Sequence, residues 1–265
     1  MAEKGKTNIM VMAGTKDAAR IIERLNKTGN FKLLATTTTE YGADIAKSAG
    51  ADEVLSRKLE EEELTELIKT KKINILVDAT HPFAVNATKN AMTASKSAEI
   101  KYIRFERPGI DIEENSQIYK VFSFEEAALK ANELSEGRIL HLAGVSTLKP
   151  IIEKINPSVL FARVLPSLDS IQKCLDLGLK QENIIAMQGT FSKNFNKALM
   201  EEYNISLIIT KESGETGGTT SKINAALELG IDIILVTRPK ISELNNKDIF
   251  TDLDEITDFI LELDA

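Results

Sequence analysis

Short runs of β-branched and aliphatic residues alternate with helical patterns along the whole 265-residue chain. Asn8-Ile-Met-Val-Met-Ala13 reads as a buried strand, and residues 16–26 follow with Ala18, Ile21, Ile22 and Leu25 at helical spacing. Residues 31–35, 54–55, 73–78 and 100–105 continue the strand series, with helices expected over 41–49, 59–70 and 83–95. The second half repeats the alternation, with strands expected at 138–142, 159–164, 184–187, 205–210 and 231–237. Strands that are apolar along their whole length need cover on both faces, which is the signature of a parallel sheet between helices. The expected class is therefore α/β, with two Rossmann-like, doubly wound parallel-sheet domains over 1–120 and 121–265. A cleft is expected where their strand carboxyl ends meet.

The two halves also end alike. Tyr102-Ile-Arg-Phe-Glu-Arg-Pro108 resembles Ile233-Ile-Leu-Val-Thr-Arg-Pro239, and each is followed by a polar stretch, a short strand and a helix. Ser123 and Asp252 suit the N-caps of those helices. The last helix carries an apolar face of Ile256, Phe259, Ile260 and Leu263 and must dock somewhere. The matched endings suggest that 249–263 crosses back to pack on the first domain.

Composition narrows the class of function. The formal net charge of −7 argues against nonspecific binding to nucleic acid or acidic membranes, which needs a positive field. A single cysteine excludes an intramolecular disulfide and suits a reducing compartment. One cysteine and two histidines leave little material for a zinc site, so no metal is expected. No apolar run approaches the roughly 18 residues of a membrane span, and the polar start at Met1–Asn8 has no signal-peptide core. A cytoplasmic protein, monomeric or a small homo-oligomer, is expected.

Several strand ends carry chemistry. The first strand ends in Ala13-Gly-Thr-Lys-Asp17, where Gly14 and Thr15 lead into a helix whose N–H groups can hold an anion. It lacks the G-x-G-x-x-G pattern, and a tight turn is an equal reading. The Thr36–Thr39 run, with Thr37, Thr38 and then Tyr41, offers hydroxyls to carboxylates or phosphates, although threonine is also a good strand former. Asp78-Ala-Thr-His-Pro-Phe83 puts Thr80 and His81 at the next strand end, with Pro82 expected in the first helical turn. His81 then either faces the crevice or caps the helix. His141 lies inside a strand and reads as a packed histidine. The densest stretch is Thr210–Lys222, which packs Lys211, Glu212, Ser213, Gly214, Gly217, Gly218 and Lys222 between a strand and a helix. Backbone amides with lysines are what a phosphate needs, and these residues are assigned to a cofactor's phosphates.

Taken in order, Gly14-Thr-x-Asp-Ala18, Thr38-x-x-Tyr-Gly42, Asp78-Ala-Thr-His-Pro-Phe-Ala84, Arg107-Pro108, Lys211-x-Ser-Gly-x-x-Gly-Gly218 with Lys222, and Arg238-Pro239 resemble the precorrin-6A reductase family of cobalamin biosynthesis. The resemblance runs from about 8 to 239 and implies reduction of one ring double bond of precorrin-6A, with or without cobalt, by NADH or NADPH. It implies a carboxylate-rich tetrapyrrole as the partner small molecule. Expected substrate contacts are Gly14, Thr15, Thr37, Thr38, Thr80, Arg107 and Arg238, with His81 and Tyr41 as candidate catalytic residues. A dehydrogenase of a smaller substrate and a non-catalytic two-lobed binding protein are the competing readings.

Overall fold

The structure is a computed structural model that describes residues 6–109, 114–134, 137–214 and 218–264. The first stretch runs β1 (Thr7–Met12), α1 (Lys16–Thr28), β2 (Phe31–Thr37), α2 (Glu40–Ser48), β3 (Glu53–Ser56), α3 (Glu61–Thr70), β4 (Ile75–Asp78), α4 (Val85–Ser97) and β5 (Lys101–Phe105). It continues with β6 (Ile118–Val121), α5 (Phe124–Leu134), β7 (Arg138–His141), α6 (Lys149–Ile152), β8 (Leu160–Val164), α7 (Leu168–Asp176), β9 (Ile184–Ala186) and α8 (Lys193–Glu202). The remainder is β10 (Ile205–Lys211), α9 (Thr219–Glu228), β11 (Asp232–Val236), β12 (Ile249–Phe250) and α10 (Leu253–Asp264).

Two six-stranded sheets result, ordered β12-β5-β4-β1-β2-β3 and β6-β11-β10-β7-β8-β9. Every strand pairing in them is parallel. Both are doubly wound, with the order reversing beside β1 in the first sheet and beside β7 in the second. Apolar strands pack against helices on either face. Ile9 and Val11 join α1 and α10 residues in one core cluster, whereas Met10 and Leu76 join Leu64, Ala91 and Ala94 of α3 and α4 in another. In the second unit, Leu140, Ile208 and Ile233 pack with Met200, Ile223 and Ala226.

The chain divides into one unit of residues 1–108 with 240–265 and another of 109–239. The boundary expected at 120 is thus moved, for a topological reason. β6 does not extend the first sheet but pairs with β11, and β12 pairs with β5. The amide of Glu106 donates to the Phe250 carbonyl at 2.9 Å, and the amide of Thr237 donates to the Val121 carbonyl at 2.9 Å. Each half therefore gives its last strand to the other sheet, at the same register. Ser123 and Asp252 cap the following helices, accepting from Glu126 N and Glu255 N at 3.1 Å each. Ile256 and Ile260 are buried in the first core, and Arg24 of α1 pairs with Asp254 of α10. Leu263, expected on the buried face, is 47% exposed.

Candidate active site

The carboxyl edge of the first sheet is built by the ends of β1, β2, β4 and β5. Gly14 leaves β1 with a φ of 112°, a left-handed conformation that L side chains resist. Thr15 caps α1, accepting from Ala18 N at 3.1 Å while its hydroxyl donates to the Ala79 carbonyl at 2.9 Å. Its side chain is committed to joining the β1 and β4 turns, so what it offers a ligand is backbone. Asp17 in the first turn of α1 pairs with Arg107 at 2.7 Å. At the end of β2, Thr37 is buried and its hydroxyl donates to the Thr39 carbonyl at 3.1 Å. Thr38 is exposed, and Tyr41 is 61% exposed beside it.

After β4, the buried carboxylate of Asp78 accepts from the Thr80 amide at 3.0 Å and the Thr80 hydroxyl at 2.7 Å. His81 follows, half-buried, and its Nδ1 accepts from Phe83 N at 3.2 Å. In the neutral imidazole the proton is then on Nε2. Pro82 lies in a turn closed by Ala84 N on the His81 carbonyl at 2.8 Å, one turn ahead of α4 rather than inside it.

The carboxyl edge of the second sheet carries the polar loop after β10. Ser213 is buried, its amide donating to Thr219 Oγ1 at 3.1 Å. Gly214 has a φ of 75°. Gly218, at a φ of 68°, is the N-cap of α9, and a Cβ there would come within 3.1 Å of Thr190 Cγ2. Gly217 lies outside the described residues. Arg238 leans on Glu212, with its Nε donating to the Glu212 carbonyl at 3.3 Å and its amide to the carboxylate at 3.3 Å.

Lys222, in the first turn of α9, is only 8% exposed. Burial, then the charges of Arg163 and Lys211, push its pKa down to about 7. Burial alone lowers Arg163 to about 10 and pulls Lys211 down as well. Arg163 is held by Asn196 Oδ1 at 2.8 Å and lies 5.0 Å from the centre of the Phe191 ring. β8, β10 and α9 thus bring three cations together in a poorly solvated place, at the end of a helix whose dipole is also positive. Such an arrangement can receive an anion.

His141 is fully buried in β7, as its strand position suggests. Its Nε2 contacts the Gly144 carbonyl at 3.2 Å and Thr147 Oγ1 at 3.0 Å. Burial chiefly, with Lys211 adding to it, lowers its pKa to about 4. In the unfolded chain the group titrates near 6.5. Between pH 6.5 and 4 the unfolded chain then binds a proton that the native one does not, so stability falls as the pH falls through that window. The loss is on the order of 3 kcal/mol. Urea unfolding at pH 7 and pH 4.5 should show it, and His141→Gln should flatten the dependence by a similar amount.

Residues 8–261 match the protein family described as precorrin-6x reductase CbiJ/CobK. The chain belongs to the precorrin-6x reductase family. It is 44% identical to a cobalt-precorrin-6A reductase of Methanothermobacter thermautotrophicus over 98% of this chain and 86% of that one. A cobalt-precorrin-6A reductase of Methanocaldococcus jannaschii is 43% identical over 97% of this chain and 99% of the other. A solved structure titled CobK precorrin-6A reductase shares the fold, with a TM-score of 0.79 at 20% identity and 97% of each chain covered.

For a precorrin-6x reductase, the first sheet edge gathers Gly14, Thr15, Thr37, Thr38, Tyr41, Thr80, His81 and Arg107. Arg238 belongs instead to the second unit with Lys211, Glu212, Ser213, Gly214, Gly218 and Lys222. Arg163, Asn196, Phe191, Arg104 and Tyr102 were not among the expected site residues. The available signal was a charge within an apolar strand, as in Leu160-Phe-Ala-Arg-Val164.

Proposed function

We propose that this protein reduces one ring double bond of cobalt-precorrin-6A to give cobalt-precorrin-6B, with NADH or NADPH as reductant. Nicotinamide-dependent reduction of precorrin-6A, with or without cobalt, is the activity of its family. The cobalt form is favoured by two relatives above 40% identity that carry that name. The observation that carries the cofactor assignment is the cluster of half-buried Arg163 and Lys211 with buried Lys222 beside the start of α9. Those side chains, with the backbone at Gly214 and Gly218, fit the phosphates of a dinucleotide. When bound, the nicotinamide supplies the hydride.

The first unit is the proposed substrate side. Thr38 and Arg107, with the backbone at Gly14 and Thr15, suit ring carboxylates, and Thr37 and Thr80 shape the turns that present them. The Phe83 amide donates to Nδ1 of His81. Its Nε2–H is a donor to a substrate acceptor, as neutral imidazoles serve elsewhere. With His81 as a hydrogen-bond donor, the proton that the second carbon of the reduced bond requires comes from Tyr41, a lysine or water.

Anaerobic incubation with cobalt-loaded and metal-free precursor, following nicotinamide absorbance, tests the reaction. Oxidation with the cobalt form at a kcat/KM ~10-fold higher is expected, a difference of about 1.4 kcal/mol. No oxidation with either precursor would leave the smaller-substrate or binding-protein readings. His81→Ala should lower kcat by ~100-fold while unfolding free energy stays within about 1 kcal/mol of the parent. A large stability loss with normal turnover per folded molecule would reduce His81 to a turn residue.

A further inference from the structure

We infer that Asp78 and Arg104 are positioning residues that hold the Thr80–His81 turn in the conformation that presents His81 to substrate. The inference rests on the proposed role of His81 as a donor. Asp78 ends β4 and sits in register with Arg104 of β5. One carboxylate oxygen of Asp78 accepts from Thr80 N at 3.0 Å and Thr80 Oγ1 at 2.7 Å. The other accepts from Arg104 Nη1 at 2.7 Å and the Tyr102 hydroxyl at 2.9 Å. All four lone-pair positions of the carboxylate are used. Arg104 is fixed in turn by Thr88 of α4 at 2.9 Å and by Glu106 at 2.9 Å. Burial and the neighbouring Asp78 carboxylate hold the Tyr102 hydroxyl well above its ordinary range, so it remains a donor.

The side chains of Asp78 and Arg104 are completely buried. A buried ion pair is weak evidence for stability, because desolvation can exceed the attraction. Among the described residues, Nη2 of Arg104 is buried with no hydrogen-bond partner, an added cost. The fold itself does not require the pair. The second sheet has the same strand order, and there β10 and β11 set Thr210 against Leu235 at the equivalent register. Leu235 stands two residues before Thr237, which bonds the Val121 carbonyl, just as Arg104 stands two before Glu106, which bonds the Phe250 carbonyl. A leucine thus fills in one sheet the place that an arginine fills in the other. What distinguishes the first sheet is the turn that follows β4, which carries Thr80 and His81. Splitting the carboxylate between the strand cation and the Thr80 amide makes the turn geometry a consequence of the rigid sheet rather than of the loop.

A double-mutant cycle of Asp78→Asn with His81→Ala tests this. Asp78→Asn in the parent should lower kcat by ~30-fold with little change in KM, in the range that small misplacements of a reacting group cause. In the His81→Ala background it should lower kcat by less than ~2-fold, because residues that act as a unit are not additive. Equal factors in both backgrounds would overturn the positioning role and leave the donor reading of His81 standing. An unchanged kcat in His81→Ala alone would overturn both. Tyr102→Phe keeps the ion pair and removes a single neutral donor, so it covers the case in which Asp78→Asn does not fold. A loss of ~3-fold in the parent and none in His81→Ala is expected from it, in line with one modest hydrogen bond. Equal losses in the two backgrounds would again be decisive against the inference.

Discussion

Truncation after Lys247 is expected to yield insoluble or molten protein rather than a folded enzyme with altered specificity. The segment lost contains β12 and α10. β12 is the edge strand of the first sheet, in register with Arg104 and Phe105 of β5. From α10, Ile256 and Ile260 are fully buried in the core built by β1, β2 and α1, and Leu253, Phe259 and Leu261 pack around them. Removing the two isoleucines alone forfeits roughly 3–6 kcal/mol of apolar burial. A domain's net stability is typically about 5–15 kcal/mol. The cut would also uncover a strand edge next to exposed core, a template for aggregation. Ile260→Ala, a milder probe, should cost about 2–5 kcal/mol, read as a lower urea midpoint. A soluble truncated chain with an unchanged melting temperature would show that the segment is an accessory.

Much of this architecture was readable because it is local. Apolar runs such as Asn8–Ala13 carry their own strand signal, and Ser123 and Asp252 announce helix starts through short-range hydrogen bonds. The repeated Arg-Pro endings even suggested which strands correspond. The domain boundary was less readable, because nothing within Ile118–Val121 says which of two similar sheets it will join. That choice is made by β11, more than 100 residues later. Leu263 illustrates a related limit. Helical spacing put it on the apolar face, yet it lies beyond Ile260, the last residue of α10 in the core.

The site divided along the same line. Glycines, hydroxyls and lysines crowded into Thr210–Lys222 were visible as a candidate binding loop without knowing the fold. Arg163 and Asn196 were not, because 33 residues separate them and only the packing of α8 beside β8 brings them together. Arg104 was hidden in a strand motif that read as structural. Its meaning depends on Asp78 lying beside it across β4 and β5.

Lys222→Met is expected to stabilise the protein while it cripples cofactor binding. The lysine's folded pKa of about 7 lies below its ordinary value of 10.5. Between those values the unfolded chain holds a proton that the native chain lacks, so this group's contribution makes stability rise as pH rises from about 7 toward 10.5. Below pH 7 the native state holds a buried ammonium beside Arg163 and Lys211. Methionine fills a similar volume without that charge, and the melting temperature below pH 7 should rise by roughly 3–8 °C. Loss of a charge-assisted phosphate contact, worth about 1.5–3 kcal/mol, should raise the cofactor Kd by roughly 10–100-fold. The parent should also show a proton signature. At pH 8 Lys222 of the protein without ligand is mostly neutral, and a bound phosphate would restore its charge, so binding should take up on the order of one proton. Calorimetric titration in buffers of different ionisation enthalpy measures that uptake, and Lys222→Met should abolish it. An uptake seen with the tetrapyrrole instead of the nucleotide would reassign the cluster to substrate carboxylates. An unchanged cofactor Kd in Lys222→Met, with no uptake in the parent, would remove the cluster from the binding machinery altogether.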